Sequence, residues 1–410
     1  MVTMDADGLI AALQKAVDLH QAGRLDDAIR QYDMVLDADP ENVEALNFSA
    51  LAHFARGEAE TAAERLARAV GTRPDYGEAQ ANHGLVLRAL GRMDDAVAAL
   101  AQATALLPND VEAPFNLGNI HLAAGRPAEA ATALRTAVGR APGHAPAHAP
   151  AQANLARALL ELGDWPDALA ACEQCLASTP GHTGALAMAG VALAELGESR
   201  RLATLLDFDG LVGAHRPPPP FGMADIGAFN RALADHVQRD ASLAYEPDDV
   251  TTRKGYQSAD LMADPKGPLG AFKAIIESAV AVYREHHPIE AGHPYLGQRP
   301  ARWTLNAWAT ILEREGHQAP HIHRSAWLSG VYYVQLPDNV RDAVTGNAGW
   351  IEFGRPPPYP AARAEAPMQF YRPEEGLMLL FPSYMYHRTI PFDAGQRRIS
   401  IAFDVLPSLD

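Results

Sequence analysis

The chain has 410 residues, which is too long for one ordinary domain, so two or more are expected. Its apolar fraction of 48% is that of a globular protein with a core, and its formal net charge of −16 argues against binding nucleic acid through a general basic surface. Two cysteines exclude a disulfide framework and are typical of a reducing compartment.

The first residues, Met1 to Asp7, lack a basic segment followed by an apolar one, so no signal peptide is expected. No apolar run in the sequence is long enough to span a bilayer. We therefore expect a cytoplasmic protein that makes no membrane contact.

A repeat runs through the first half of the chain. Glycines recur 34, 34, 34, 38 and 34 residues apart, at Gly23, Gly57, Gly91, Gly125, Gly163 and Gly197. An alanine follows five residues after each of the first five, at Ala28, Ala62, Ala96, Ala130 and Ala168, and a proline closes each unit, at Pro40, Pro74, Pro108, Pro142 and Pro180. Glycine permits a tight turn between two antiparallel helices, alanine lets them approach closely, and proline ends the second helix. The pattern predicts stacked helix pairs.

This pattern resembles the tetratricopeptide repeat over roughly residues 9–205. The segment 143–150 has the form of a four-residue duplication in a loop, and the unit around Gly190 and Gly197 has the form of a terminal capping repeat. The resemblance implies an α-solenoid whose concave groove binds a protein or peptide. The alternative is that the array only holds the second domain or dimerises.

Cys172 and Cys175 form a C-x-x-C inside the second helix of a repeat. Another unit places Leu134 and Ala137 at the same positions, and those are packing positions. No second cysteine pair exists for a zinc site, and no strand-to-helix context supports a redox motif. The pattern favours core packing.

The second half begins after a proline run, Pro217 to Pro220, which is a stiff extended spacer. The predicted domains are residues 1–205, a linker at 206–221, and residues 222–410. Helices are predicted at 224–240 and 268–286. Strands are predicted at 302–312, 327–336, 349–354, 376–381 and 398–405. Short strands with Gly/Pro-rich connections predict a double-sheet jelly roll, or double-stranded β-helix, with flanking helices.

Three histidines in this half have the spacing of a metal site. His321 and His323 stand two apart on an extended segment and so face the same side, and His387 follows a later strand. Imidazole suits iron, zinc, copper and nickel alike. Arg398 and Ser400 alternate on the last strand, so both face one sheet surface, where a guanidinium and a hydroxyl match a carboxylate.

Residues 301–407 resemble the 2-oxoglutarate/Fe(II)-dependent oxygenases that follow tetratricopeptide repeats in bacteria. The motifs that carry the resemblance are Pro320-His321-Ile322-His323, the strand from Trp327 to Val334, Gly349 to Gly354, Leu380 to His387 and Arg397 to Asp404. The resemblance implies that His321 and His387 bind Fe(II), and that Arg398 with Ser400 binds 2-oxoglutarate. His323 stands where the wider superfamily has a carboxylate, so the site has three histidines, or two completed by water.

Three further residues are expected to line the pocket, because alternate strand residues point inward: Asn306, Trp308, and either Tyr332 or Tyr333. The first hypothesis is a hydroxylase whose repeats present a protein or peptide substrate. The second is a non-catalytic repeat scaffold with a degenerate metal-binding barrel. The third is a cupin-like metal enzyme that does not use 2-oxoglutarate, which Arg398 and Ser400 disfavour.

Overall fold

The computed structural model describes residues 6–141, 148–248, 250–341 and 346–408. The loop duplication was predicted at residues 143–150, and its residues 143–147 lie outside these ranges, as do the first five residues of the chain. The chain divides into two compact units, residues 1–159 and 160–410, and each is described by itself. No helix in the described part of the chain is long and apolar enough to cross a membrane.

The first unit is built from consecutive helices, which are joined by short turns up to residue 140. They are α1 (Ala6–Gln21), α2 (Leu25–Ala38), α3 (Val43–Ala55), α4 (Ala59–Thr72), α5 (Gly77–Ala89), α6 (Met93–Leu106), α7 (Glu112–Ala123), α8 (Pro127–Arg140) and α9 (His148–Leu162), which continues into the second unit. Gly57 and Gly91 have φ angles of +89° and +74° in their turns, a conformation that glycine adopts without strain. Ala28, Ala62 and Ala96 have no exposed surface, as close helix packing requires. The predicted α-solenoid is confirmed.

The second unit begins with further repeat helices, namely α10 (Trp165–Ser178), α11 (Thr183–Glu195), α12 (Ser199–Leu205) and α13 (Phe208–Leu211). Cys172 and Cys175 in α10 are buried and unpaired, in agreement with the core packing expected for them. Burial raises the pKa of the Cys175 thiol to about 11.

These helices are bonded to the strand-rich part of the same unit. The Tyr384 hydroxyl donates to the Leu205 carbonyl oxygen over 2.6 Å. The Glu195 carboxylate accepts from the backbone N–H groups of Arg363 and Ala364 over 2.7 and 2.8 Å. The second compact unit therefore contains residues on both sides of the domain boundary predicted at residue 205. The boundary itself stays a prediction.

The strands form one sheet in which all registered pairs are antiparallel. They are β1 (Gly213–His215), β2 (Ala244–Tyr245), β3 (Thr252–Gln257), β4 (Trp303–His321), β5 (Leu328–Gln335), β6 (Ile351–Phe353), β7 (Gln369–Tyr371), β8 (Met378–Pro382), β9 (His387–Thr389) and β10 (Arg398–Pro407). The order is β1-β8-β5-β10-β4-β9-β6-β7, and β2 and β3 extend from β4. Strand β4 pairs with β10 along its first half and with β9 at its end, so the sheet curls. This curled sheet is consistent with the predicted jelly-roll-like domain.

The predicted flanking helices are present as α14 (Ile226–Val237) and α15 (Pro268–His286), and a short α16 (Asp338–Arg341) follows β5. The Tyr332 hydroxyl of β5 donates to the Asn230 side chain of α14 over 2.7 Å. The Phe272 ring of α15 packs 5.2 Å from the Tyr332 ring. One face of β5 is therefore covered by helices, and the other face is left to line the interior of the curled sheet.

Candidate metal centre

Three histidines come together where β4 ends and β9 begins. His321 is the last residue of β4, and its partner across the ladder is His387, the first residue of β9. His323 follows two residues later, where its backbone N–H donates to the Ser383 carbonyl oxygen over 3.0 Å. One candidate ligand atom from each side chain lies within 4.8 Å of the other two. The chain thus brings the three predicted histidines into one cluster.

In each histidine, the hydrogen bond made by one ring nitrogen determines which nitrogen is free to bind an ion. Nδ1 lies 2.8 Å from the Ala319 carbonyl oxygen in His321 and 3.0 Å from that of Met385 in His387. In His323, Nδ1 lies 2.6 Å from a carboxylate oxygen of Asp404. Carbonyl and carboxylate oxygens only accept, so each Nδ1 carries the proton and Nε2 keeps the lone pair.

This arrangement is typical of metal-bound histidines, whose outer nitrogen donates to a carbonyl or carboxylate oxygen. Burial is the main cause that lowers the pKa of His321 to about 3, and the neighbouring His323 adds to it. Burial also lowers the pKa of His387 well below its usual value. The neutral imidazole is the form that binds a metal, so the donor set fits a divalent ion.

Asp404 was not foreseen from the sequence. Its Oδ1 accepts from His323 and from the Ser329 hydroxyl, each over 2.6 Å. Ser329 in turn lies 2.8 Å from the Ser383 hydroxyl. A signal existed: Asp404 continues the two-residue period of Arg398 and Ser400 on β10, so the same face had to carry it.

Arg398 is a buried cation that has no acidic partner in the part of the chain that the structure describes. Its Nε donates to the Gly349 carbonyl oxygen over 3.3 Å, and its Nη1 donates to the Ser400 hydroxyl over 3.1 Å. Its guanidinium carbon lies 5.2 Å from the centre of the Tyr333 ring. Burial lowers the pKa of Arg398, and among the described residues no carboxylate pairs with it. A buried charge that lacks a counter-ion within the protein is costly, so the group points to an anionic ligand.

The histidines, Arg398 and Ser400 line one pocket. The remaining lining comes from Trp308, Thr310, Gln318, Gly330, Val331, Tyr333, Ile351, Phe381, Thr389 and Ala402. The hydroxyls of Thr310 and Tyr333 are buried there and have no hydrogen-bond partner among the described residues. The cavity has a volume of about 20 Å³, enough for an ion or one water, so a dicarboxylate would require lining side chains to move.

Two of the predicted pocket residues lie elsewhere. Tyr332 faces α14 and α15, because successive residues of β5 point to opposite sides, and Tyr333 takes the inward place. Asn306 pairs with Asp404 across the ladder and lies outside this lining, and its buried Oδ1 has no hydrogen-bond partner in the described ranges. Trp308 lines the pocket as expected, with its ring 5.5 Å from that of His323.

Fold and site together define a protein with stacked helical repeats and a curled antiparallel domain that holds a three-histidine cluster. A family model for the tetratricopeptide repeat matches residues 13–77, 81–145 and 153–199. A second model, described as "Putative 2OG-Fe(II) oxygenase", matches residues 306–404. Both resemblances read from the sequence are confirmed.

Several solved repeat structures are similar to part of the chain. A crystal structure of MamA is 25% identical, with a TM-score of 0.37, and the match covers 43% of this chain and 96% of that one. The pilF protein of Pseudomonas aeruginosa is 20% identical, with a TM-score of 0.40, over 49% and 90% of the two chains. YrrB, described as a TPR protein with an unusual peptide-binding site, is 23% identical, with a TM-score of 0.38, over 42% and 88%. No curated protein matches the chain.

Proposed function

We propose that this protein is an Fe(II)- and 2-oxoglutarate-dependent oxygenase, a hydroxylase of a protein or peptide that its repeats recruit. The observation that carries the proposal is the pairing of two features in one pocket. Three histidines converge on one point, and the buried Arg398 beside them lacks a carboxylate partner among the described residues. A metal and an anionic cosubstrate are the two ligands that these features require.

His321, His323 and His387 would hold the iron through Nε2, and Arg398 with Ser400 would bind the carboxylate of 2-oxoglutarate that is remote from its keto group. Bound iron and 2-oxoglutarate would supply the activation of dioxygen and the electrons that hydroxylation needs. The buried hydroxyls of Thr310 and Tyr333, which have no hydrogen-bond partner among the described residues, would be available to donate to the same carboxylate. The burial of these two residues and of Phe381 and Ile351 would exclude bulk water from a bound cosubstrate.

The first compact unit offers amide groups suited to a peptide. The side-chain amide of Asn82 donates to Asn47 over 2.9 Å, and that of Asn154 donates to Asn119 over 2.7 Å. These residues come from α3, α5, α7 and α9, so amides of successive repeats reach one another. Asn47 is buried, but Asn82, Asn119 and Asn154 are partly exposed, and their amides can both donate to and accept from a peptide backbone. They support recruitment of a protein or peptide by the repeats.

The test is anaerobic binding of Fe(II), and of 2-oxoglutarate in its presence, by calorimetry, followed by succinate formation in air. We expect His387→Ala to lose iron, and Arg398→Ala to keep iron but lose 2-oxoglutarate. His317→Ala is the matched control, because His317 is a partly exposed histidine on the same strand as His321, and its Nδ1 lies 3.1 Å from the backbone carbonyl oxygen of Glu315. A wild-type protein that binds neither ligand would refute the proposal. Binding without succinate formation, even with a peptide substrate, would favour the scaffold alternative.

A further inference from the structure

We infer that Asp404 is a positioning residue for the third metal ligand. The Asp404 carboxylate is hydrogen-bonded to His323, and through that ring it supplies the negative charge that a carboxylate ligand would supply directly. The inference rests on the proposed function, since it concerns how the same three histidines hold their metal. The common iron site has two histidines and one carboxylate, whereas this cluster has three histidines.

The direction of the hydrogen bonds around Asp404 follows from what each group can do. An aspartate oxygen accepts, so both His323 Nδ1 and the Ser329 hydroxyl donate to Oδ1. The Ser329 hydroxyl has one proton, which it donates to Asp404. Ser383 is therefore the donor in the hydrogen bond between the two serine hydroxyls. The chain of donors therefore ends on one carboxylate oxygen, and that oxygen is aimed at the His323 ring.

His323 differs from the other two histidines in this partner. The rings of His321 and His387 donate to neutral backbone carbonyl oxygens, over 2.8 and 3.0 Å. The ring of His323 donates to a carboxylate over 2.6 Å, and charge-assisted bonds are the shorter and stronger kind. A carboxylate behind an imidazole raises the basicity of the nitrogen that faces the metal.

Several elements hold the Asp404 carboxylate in place. Its backbone lies in the middle of the sheet, where β10 pairs with Ser329 of β5 on one side and Asn306 of β4 on the other. The side chains of His323 and Asp404 are 9% and 12% exposed, so water competes little for their bond. Ser383 bonds to this network twice, through its hydroxyl to Ser329 and through its carbonyl oxygen to the His323 backbone. Such a supported partner sets ring orientation as well as charge.

The test is the affinity for Co(II), which stands in for Fe(II) in air, measured by calorimetry and by the visible absorption of the bound ion. Asp404→Asn keeps an acceptor oxygen and removes the charge. We expect its Co(II) affinity to fall about 10- to 100-fold, with an altered absorption band and a metal-free melting temperature near that of wild type. Glu352→Gln is the matched control: Glu352 is a buried carboxylate of the same sheet that pairs with Arg388 and Arg355, and its loss should leave Co(II) affinity unchanged.

A double-mutant cycle shows whether Asp404 acts through His323. In a His323→Ala background, Asp404→Asn should cost no further affinity, because the ligand that it positions is gone. Equal costs in both backgrounds, or no cost in the wild-type background, would overturn the inference. Failure of the wild-type protein to bind metal would instead refute the proposed function, so the two failures are distinguishable.

Discussion

Replacement of Arg398 by methionine should have opposite effects on ligand binding and on stability. Methionine is unbranched and uncharged, so it fills most of the space of the buried arginine side chain but has no hydrogen-bond donor. The change removes the proposed carboxylate anchor, and it also removes a cation whose partners are a carbonyl oxygen, a hydroxyl and the face of Tyr333.

The magnitudes follow from these contacts. A guanidinium fork makes two charge-assisted hydrogen bonds to a carboxylate, and at about 1.5 kcal/mol each their loss costs about 3 kcal/mol, or roughly 100-fold in the Kd of 2-oxoglutarate. Burial of a charge without a counter-ion costs several kcal/mol, which neutral acceptors and one ring only partly offset. We therefore expect the ligand-free Arg398→Met protein to be more stable by about 1 kcal/mol, a rise of about 2–4 °C in Tm for a unit of this size.

The assay combines calorimetry of 2-oxoglutarate binding in the presence of metal with thermal melting of the ligand-free protein. Arg397→Met is the matched control, because the neighbouring Arg397 is exposed and paired with Glu313. It should leave the 2-oxoglutarate affinity unchanged. If Arg398→Met binds 2-oxoglutarate within about threefold of wild type, Arg398 is not the anchor and its burial has another cause.

The cysteines, the domain boundary and one glycine give three further predictions. Because burial raises the pKa of Cys175 to about 11, roughly one Cys175 thiol in a thousand is ionised at pH 8, and its alkylation in the native protein should stay slow until the pH approaches 11. Burial raises the pKa of Cys172 further still, so Cys172 should react more slowly than Cys175. Mass spectrometry before and after denaturation checks this, and rapid native labelling would contradict it. A fragment of residues 160–410 should melt cooperatively by circular dichroism, whereas residues 206–410, which lack α10 to α12, should not. Gly330→Ala should cost about 1–3 kcal/mol in the free energy of unfolding by urea, since a Cβ there would overlap the Phe403 ring.

The repeat half was predictable because its signals are local. A glycine at a positive φ, such as Gly57, and a fully buried alanine, such as Ala62, are each required by one turn or one helix contact. The same requirements recur in successive repeats, so the same residue types appear several times in the sequence at the same spacing. Stacking then follows without any long-range information.

The metal centre was predictable only in part, because sheets bring distant residues together. Two-residue periodicity placed His321 beside His323, and Arg398 beside Ser400, on common faces. It could not say which of Tyr332 and Tyr333 points inward, since a shift of one residue exchanges the faces of a strand. The helices α14 and α15 decide it by covering the side that carries Tyr332.

Strand β10 links the two halves of the proposed chemistry. Its inward face presents Arg398, Ser400, Ala402 and Asp404 in turn, from the proposed cosubstrate anchor to the carboxylate that is hydrogen-bonded to His323. Pairing with β4 on one side and β5 on the other fixes the register of this strand, so these side chains cannot shift independently. Ala402, the smallest of these side chains, also lines the pocket between Ser400 and Asp404 on this strand. The two-residue period that predicted Arg398 and Ser400 on one face of the strand therefore also puts the Asp404 carboxylate on that face.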